Sequence, residues 1–324
     1  SSGAYVEPVA GSYAEAKARM DESKTRDTLH LVAAESDIRC VPMPEGLFTP
    51  PADPAFDRNR CSRLHVGEII RVLRESNNGR WLYVHAGHSV GWLEAPAITP
   101  AMRADALDGF RGVGTHVVIT QDTPVAGHAL RMGRRFPLTG MTRDPAMGHT
   151  SITLAKDWGI VIPTPNGLET IRPTTRLFQH HGQQGQLAPE TTMSIGAPPL
   201  TRANLWSLAF AHLGEPYGWG GYQGGRDCSR LLLDLFAVFG VRLGRHSRAQ
   251  VHAGNAVVDL KGEAEPEKRK RLRTASAEGL VLTYMPGHIM LHLGEVDGQL
   301  YALSAVSEYV RPCGEVEQTV RLDR

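Results

Sequence analysis

The 324-residue chain has no apolar run near the 18 or so residues that a membrane span requires. Its longest apolar stretch, residues 231–241, is broken by Asp234 and Gly240, so no spanning helix is expected. Charge of one sign is missing too: 35 Lys and Arg stand against 34 Asp and Glu, a net of +1. That balance offers no footprint for nucleic acid or another polyanion. Aromatic residues are scarce, at 6%. The cysteines, Cys40, Cys61, Cys228 and Cys313, form no CxxC pair, so zinc-ribbon and thioredoxin-like readings fail on spacing. They are too few for a disulfide scaffold; a Cys40–Cys61 bridge is compatible with the sequence, which alone cannot establish it. The residues Ser-Ser-Gly-Ala-Tyr at the start hold neither a basic nor an apolar signal region, so no signal peptide is visible.

What is present is enough apolar material for real cores. Hydrophobic residues make up 41% and charged residues 21%, which excludes wholesale disorder, and the length suggests two or three domains. With 34 glycines and 21 prolines, short strands joined by many turns are expected rather than long helices. Residues 1–34, with Tyr13-Ala-Glu-Ala-Lys-Ala-Arg-Met20, read as an N-terminal helical arm. Over 35–110, short apolar runs alternate with turns, and Asn77-Asn-Gly79 between two β-rich runs signals a hairpin. The pattern Gly79-Arg-Trp81-Leu-Tyr83-Val, then Gly91-Trp92-Leu, resembles bacterial SH3-like domains; Trp81 and Trp92 equally suit a small core. Over 111–199 a second SH3-like barrel is expected, with separate strands at 151–154 and 158–162. His180-His181 lies there in a Gln/Gly-rich loop without a third ligand, so a solvated loop is expected, with no metal and no cofactor.

The third region, 200–324, carries the chemistry. Thr201 can cap a helix with Leu205, Leu208, Ala209 and Leu213 on one face, and Gly214 ends it. A glycine-rich stretch leads to Cys228, which opens a second amphipathic helix. Free amides and the dipole at a helix start favour a thiolate, which predicts rapid alkylation of Cys228 at mildly acidic pH. The glycines would let a substrate backbone come close. A nucleophilic thiol needs a base, and His288 opens a strand 60 residues later, the Cys-then-His order of papain-like enzymes. Against this stands the plainer reading of a buried, inert cysteine.

The neighbours favour the nucleophile. Gly214-x-Pro216-Tyr217-x-Trp219-Gly220-Gly221, then Asp227-Cys228-Ser229, Arg245-x-Ser247-x-x-Gln250 and Pro286-Gly287-His288-Ile-Met-Leu-x-Leu-Gly294 together resemble the NlpC-type cell-wall cysteine peptidases. The resemblance covers roughly residues 200–324. It implies a multidomain chain of two β-rich SH3-like barrels followed by an α+β papain-like domain. The implied activity is hydrolysis of peptidoglycan-derived stem peptides at the bond between γ-D-glutamate and a diamino acid. An SH3-like wall near Trp81, Tyr83 and Trp92 would favour peptides with a free N-terminal L-alanine. Cys228 resembles the nucleophile, its N–H an oxyanion donor, and His288 the general base. Asp227, Ser229 and Tyr217 resemble the residues that hold the substrate's α-amino group, although Asp227 could simply cap the helix.

Ser304 stands where the family's third polar residue, usually a histidine, orients the base. A serine is shorter, so contact with His288 through a water, or another polar group in its place, is expected. His246 and His292 also depart from the pattern; His292 shares a strand face with His288 by alternation but suits an ordinary strand histidine. Two other readings stay open: a decayed, non-catalytic wall-binding protein, and an acyltransferase or amidase on the same scaffold. The substrate class implies the cell envelope or periplasm, with cytoplasmic recycling as the alternative.

Overall fold

The computed structural model describes residues 12–143, 152–174, 177–178, 185–313 and 316–322. His180 and His181 lie outside the described residues, as does the side chain of Cys313. Among the described residues the helical arm expected over 1–34 ends at Asp21. Helix α1 spans Ser12–Asp21, and β1, Lys24–Leu31, is already a strand of the first sheet. Its exposed first half, Lys24-Thr-Arg-Asp27, hides the strand from a hydrophobicity reading.

That sheet adds β2 (Ser36–Arg39), β3 (Arg60–Leu64), β4 (Ile69–Glu75), β5 (Trp81–His85) and β6 (Val90–Glu94), in the order β1-β4-β5-β6-β2-β3. The Asn-Asn-Gly turn joins β4 to β5 as expected, with Gly79 at φ 69°. Trp81 and Trp92 are both 2% exposed, so they fill the core rather than face a groove. Cys40 and Cys61 form a disulfide with their Cα atoms 5.4 Å apart, tying the start of β3 to the end of β2.

After the short helix α2 (Asp108–Arg111) come β7 (His116–Ile119), the hairpin β8 (Thr123–Val125) and β9 (His128–Leu130), then β10 (Arg135–Arg143). Strands β11 (Ile152–Thr164), β12 (Gly167–Ile171) and β13 (Met193–Ile195) complete a five-stranded antiparallel sheet, β12-β11-β10-β7-β13. The strands expected at 151–154 and 158–162 are one: β11 runs through, and a register shift opposite Thr139 and Met141 absorbs the break in its apolar pattern. Strand β7 is buried on both faces. Val117 and Ile119 enter the core of this sheet, while Val118 enters the core of the C-terminal domain. Alternate side chains of one strand thus weld two domains together.

The C-terminal region packs α3 (Arg202–Ala211) and α4 (Cys228–Val238) against a sheet of β14 (Leu282–Met285), β15 (His288–Val296) and β16 (Gln299–Leu303). Between them lie α5 (Ser247–Gln250) and the charged helix α6 (Glu265–Glu278); the hairpin β17 (Glu308–Cys313) and β18 (Val316–Arg321) follows. Thr201 caps α3, its Oγ1 accepting from Asn204 N at 3.1 Å. Leu205, Leu208 and Ala209 are fully buried, but Leu213 lies past the helix end and is exposed. Asp297 and Gly298, at φ 49° and 75°, make the tight turn between β15 and β16. Among the described residues no helix is long and apolar enough to cross a membrane.

Candidate active site

Cys228 occupies the first turn of α4, the most buried helix among the described residues; of its residues only Ala237 is not buried. Its backbone N–H lies where helix amides have no carbonyl of their own helix to meet, which suits an oxyanion donor. The Cys228 thiol accepts from the N–H of Ile289, the residue after His288, so the start of β15 meets the start of α4. His288 Nε2 lies 2.6 Å from Ser304 Oγ, just past the end of β16. The contact is direct, not water-bridged as the shorter serine had suggested, because the register of β15 and β16 brings the two strand ends together. With Nε2 engaged, Nδ1 is the ring nitrogen left to take a proton from a thiol.

Burial pushes the Cys228 thiol above its ordinary range, and Asp227 pushes the same way; N–H groups of Ile289 and Ser229 and the Arg245 charge only partly offset them. Burial thus works against the thiolate that the helix start favours. Burial also lowers His288 below the ordinary histidine value, so its imidazole is neutral at pH 7. A neutral imidazole suits taking a thiol proton during attack. The acidic limb of kcat/KM should accordingly fall below pH 6.5. Ser304→Ala should lower kcat by roughly tenfold or less, with KM held, and Ser304→His should restore the rate. Steady-state kinetics across pH measure both; an unchanged kcat in Ser304→Ala would remove Ser304 from the base.

Asp227 caps α4, its Oδ1 accepting from Arg230 N at 2.9 Å. The same carboxylate takes both terminal nitrogens of Arg245, at 3.0 and 2.6 Å, along with Ser229 Oγ and Gly220 N. Ser229 Oγ also accepts from Arg245. Asp227 and Ser229, expected to hold the substrate's α-amino group, thus bond to one another and to Arg245, which balances the carboxylate's charge. Gln250 donates to the carbonyl of Ser229 at 2.7 Å. The Arg-x-Ser-x-x-Gln motif thus braces the nucleophile's helix turn, a role only the folded contacts reveal. Tyr217 is half-buried, its segment bridged to Arg226. His292 is buried and bonded to the backbone of Tyr301, and His246 sits at the start of α5.

The first β-rich region packs beside the site at Phe56, Arg58 and Ser62 rather than at Trp81, Tyr83 or Trp92. Phe56 packs on Tyr217 and Trp219 with ring centroids 6.3 and 5.8 Å away. Arg58 stacks over Trp219 at 4.5 Å, and Ser62 on β3 accepts from Arg245 Nε at 2.9 Å. Gly220 and Gly221, before Cys228, admit this close approach of β3. A Cβ on Gly220 would lie 2.7 Å from the Arg60 carbonyl, and one on Gly221 2.4 Å from Arg63 Cβ. Both also hold positive φ.

Residues 214–305 match the NlpC/P60 family, and residues 46–94 match the SH3 domain of SH3b1 type. The chain carries an NlpC/P60 domain behind an SH3 domain. The NlpC/P60 match encloses Tyr217, Asp227, Cys228, Arg245, His288 and Ser304, and the SH3 match encloses Phe56, Arg58 and Ser62. The 111–199 sheet falls outside both matches. The fold is similar to that of an NlpC/P60 endopeptidase from Photobacterium damselae subsp. piscicida, at 19% identity and a TM-score of 0.66. That similarity covers 89% of this chain but 64% of the other, so the chain spans less than two thirds of that protein. An NlpC/P60 family protein from Bacillus cereus ATCC 10987 is also similar, at 15% identity and a TM-score of 0.49, covering 92% and 95% of the two chains. No curated protein matches the chain.

Proposed function

We propose that the NlpC/P60 domain is a cysteine endopeptidase acting on peptidoglycan stem peptides at the γ-D-glutamyl–diamino acid bond. The observation that carries this is the direct His288–Ser304 contact at the start of β15, whose next residue, Ile289, bonds to Cys228 at a braced helix start. In the proposed reaction Cys228 Sγ attacks the γ-carbonyl carbon while His288 takes the thiol proton. The charge on the oxygen is met by the Cys228 N–H. Collapse expels the diamino acid amine, protonated by His288, and leaves a thioester. Water, deprotonated by the same imidazole, then releases the γ-carboxylate and restores the thiol.

The contact of Ser304 with His288 supports a working base over a decayed binding protein. The charge balance of Asp227 shifts the preference for a free N-terminal L-alanine onto steric closure by the SH3 wall of Phe56 and Arg58. An envelope location follows from this substrate as part of the same proposal. Free L-Ala-γ-D-Glu-diaminopimelate should be cleaved at least tenfold faster than sugar-linked stems in intact sacculi. Chromatography of the two digests measures the ratio. Equal rates would open the groove and sink the wall's role.

A further inference from the structure

A second cleft, of about 480 Å³, opens on the side of α4 away from Cys228, where all three regions meet. Its size lies within the range of small-molecule sites. Leu233 and Ala237 of α4, with Val241 and Leu243 beyond it and Ile69 and Phe110, give the cleft an apolar lining. None of the catalytic or SH3-wall residues lines it.

Its charge is unbalanced. Glu68 is the cleft's one carboxylate, and it is already committed to Arg134 at 2.9 Å, Arg230 at 3.3 Å and His88 at 2.8 Å. Arg71 at the rim pairs with Asp27, and Arg111 with Asp108. Arg135 and Arg242 pair with no carboxylate among the described residues; Arg135 donates only to the Ala237 carbonyl, at 2.8 Å. Burial, with repulsion from Arg134 and Arg242, lowers Arg135 to about 10. His88 Nδ1 and Arg134 Nε, both on buried parts of cleft residues, lack a hydrogen-bond partner among the described residues. Arg135, partly buried without a counter-charge and with the exposed Arg242 lining the same cleft, favours something anionic there.

We infer that this cleft binds a small amphipathic anion, its carboxylate or phosphate between Arg135 and Arg242 and its apolar body against α4. Guanidiniums suit either head group through paired N–H donors. Leu233, Ala237, Val241 and Leu243 supply the apolar complement.

Isothermal titration calorimetry tests this on the full chain with octyl phosphate and octanoate, each below its micelle concentration. Inorganic phosphate and octylammonium serve as controls. At least one amphipathic anion should bind ten times or more tighter than inorganic phosphate, and octylammonium should not bind. The tighter of the two anions identifies the head group. Arg242→Gln, at an exposed side chain, should weaken that binding roughly tenfold while peptide hydrolysis stays at the native rate. Arg135→Gln should weaken it at least as much, with circular dichroism confirming the fold. Binding of octylammonium as tight as that of octyl phosphate would reduce the cleft to a greasy surface. Binding unchanged in both variants, or no binding at millimolar concentration, would overturn the inference.

Discussion

Cys228→Ala should lower hydrolysis of a stem peptide by about four orders of magnitude or more, because the bond-forming atom is gone. Stability should hardly change. The side chain is small, and the cap that holds its helix belongs to Asp227, Arg245 and Gln250. The measurement pairs a peptide assay with a thermal melt. Retained turnover in a well-folded variant would end the cysteine-peptidase reading, whereas an unfolded variant would show that Cys228 packs rather than reacts.

The second large effect lies in stability. Asp234 is fully buried in α4 and accepts from Arg226 Nε at 3.1 Å and Arg230 Nε at 2.9 Å, with Arg134 3.6 Å away. Those arginines reach on to Asp122 and Glu68, so one carboxylate on the nucleophile's helix anchors contacts to both β-rich regions. Asp234→Asn leaves the shape and removes the charge, exposing the guanidiniums to one another in a dry interior. Breaking a buried pair in this way costs about 3–5 kcal/mol. The melting midpoint should fall by roughly 10 °C. The arginines also hold Asp234 and Glu68 well below the usual carboxylate range. Their contribution is therefore present above about pH 4 and lost as acid protonates them. A midpoint unchanged in Asp234→Asn would mean that apolar packing alone joins the regions.

Much of the site is legible in the residues themselves because its signals are local. A capping aspartate, a cysteine and an apolar helix stripe stand in one run from Asp227 to Phe239, and Asp297-Gly298 announces the hairpin that returns the chain toward His288. What escapes a sequence reading depends on distant partners. Arg245 neutralises Asp227 across 18 residues, and Ser62 joins that pair from 183 residues upstream of Arg245. The wall residues Phe56 and Arg58 sit among prolines and charges, away from the apolar runs that mark strands. The thiol's raised range has the same origin: a helix start can be seen in sequence, but the burial that outweighs it cannot. In the β-rich half, the exposed face of β1 conceals a strand, and the double burial of β7 shows only when two cores are in place.

The most direct test of the whole account is mass spectrometry of free L-Ala-γ-D-Glu-diaminopimelate after incubation with the native chain. The account predicts the dipeptide L-Ala-D-Glu and free diaminopimelate as the only products, absent with Cys228→Ala. Intact tripeptide after prolonged incubation, or cleavage at the L-Ala–D-Glu bond instead, would contradict it.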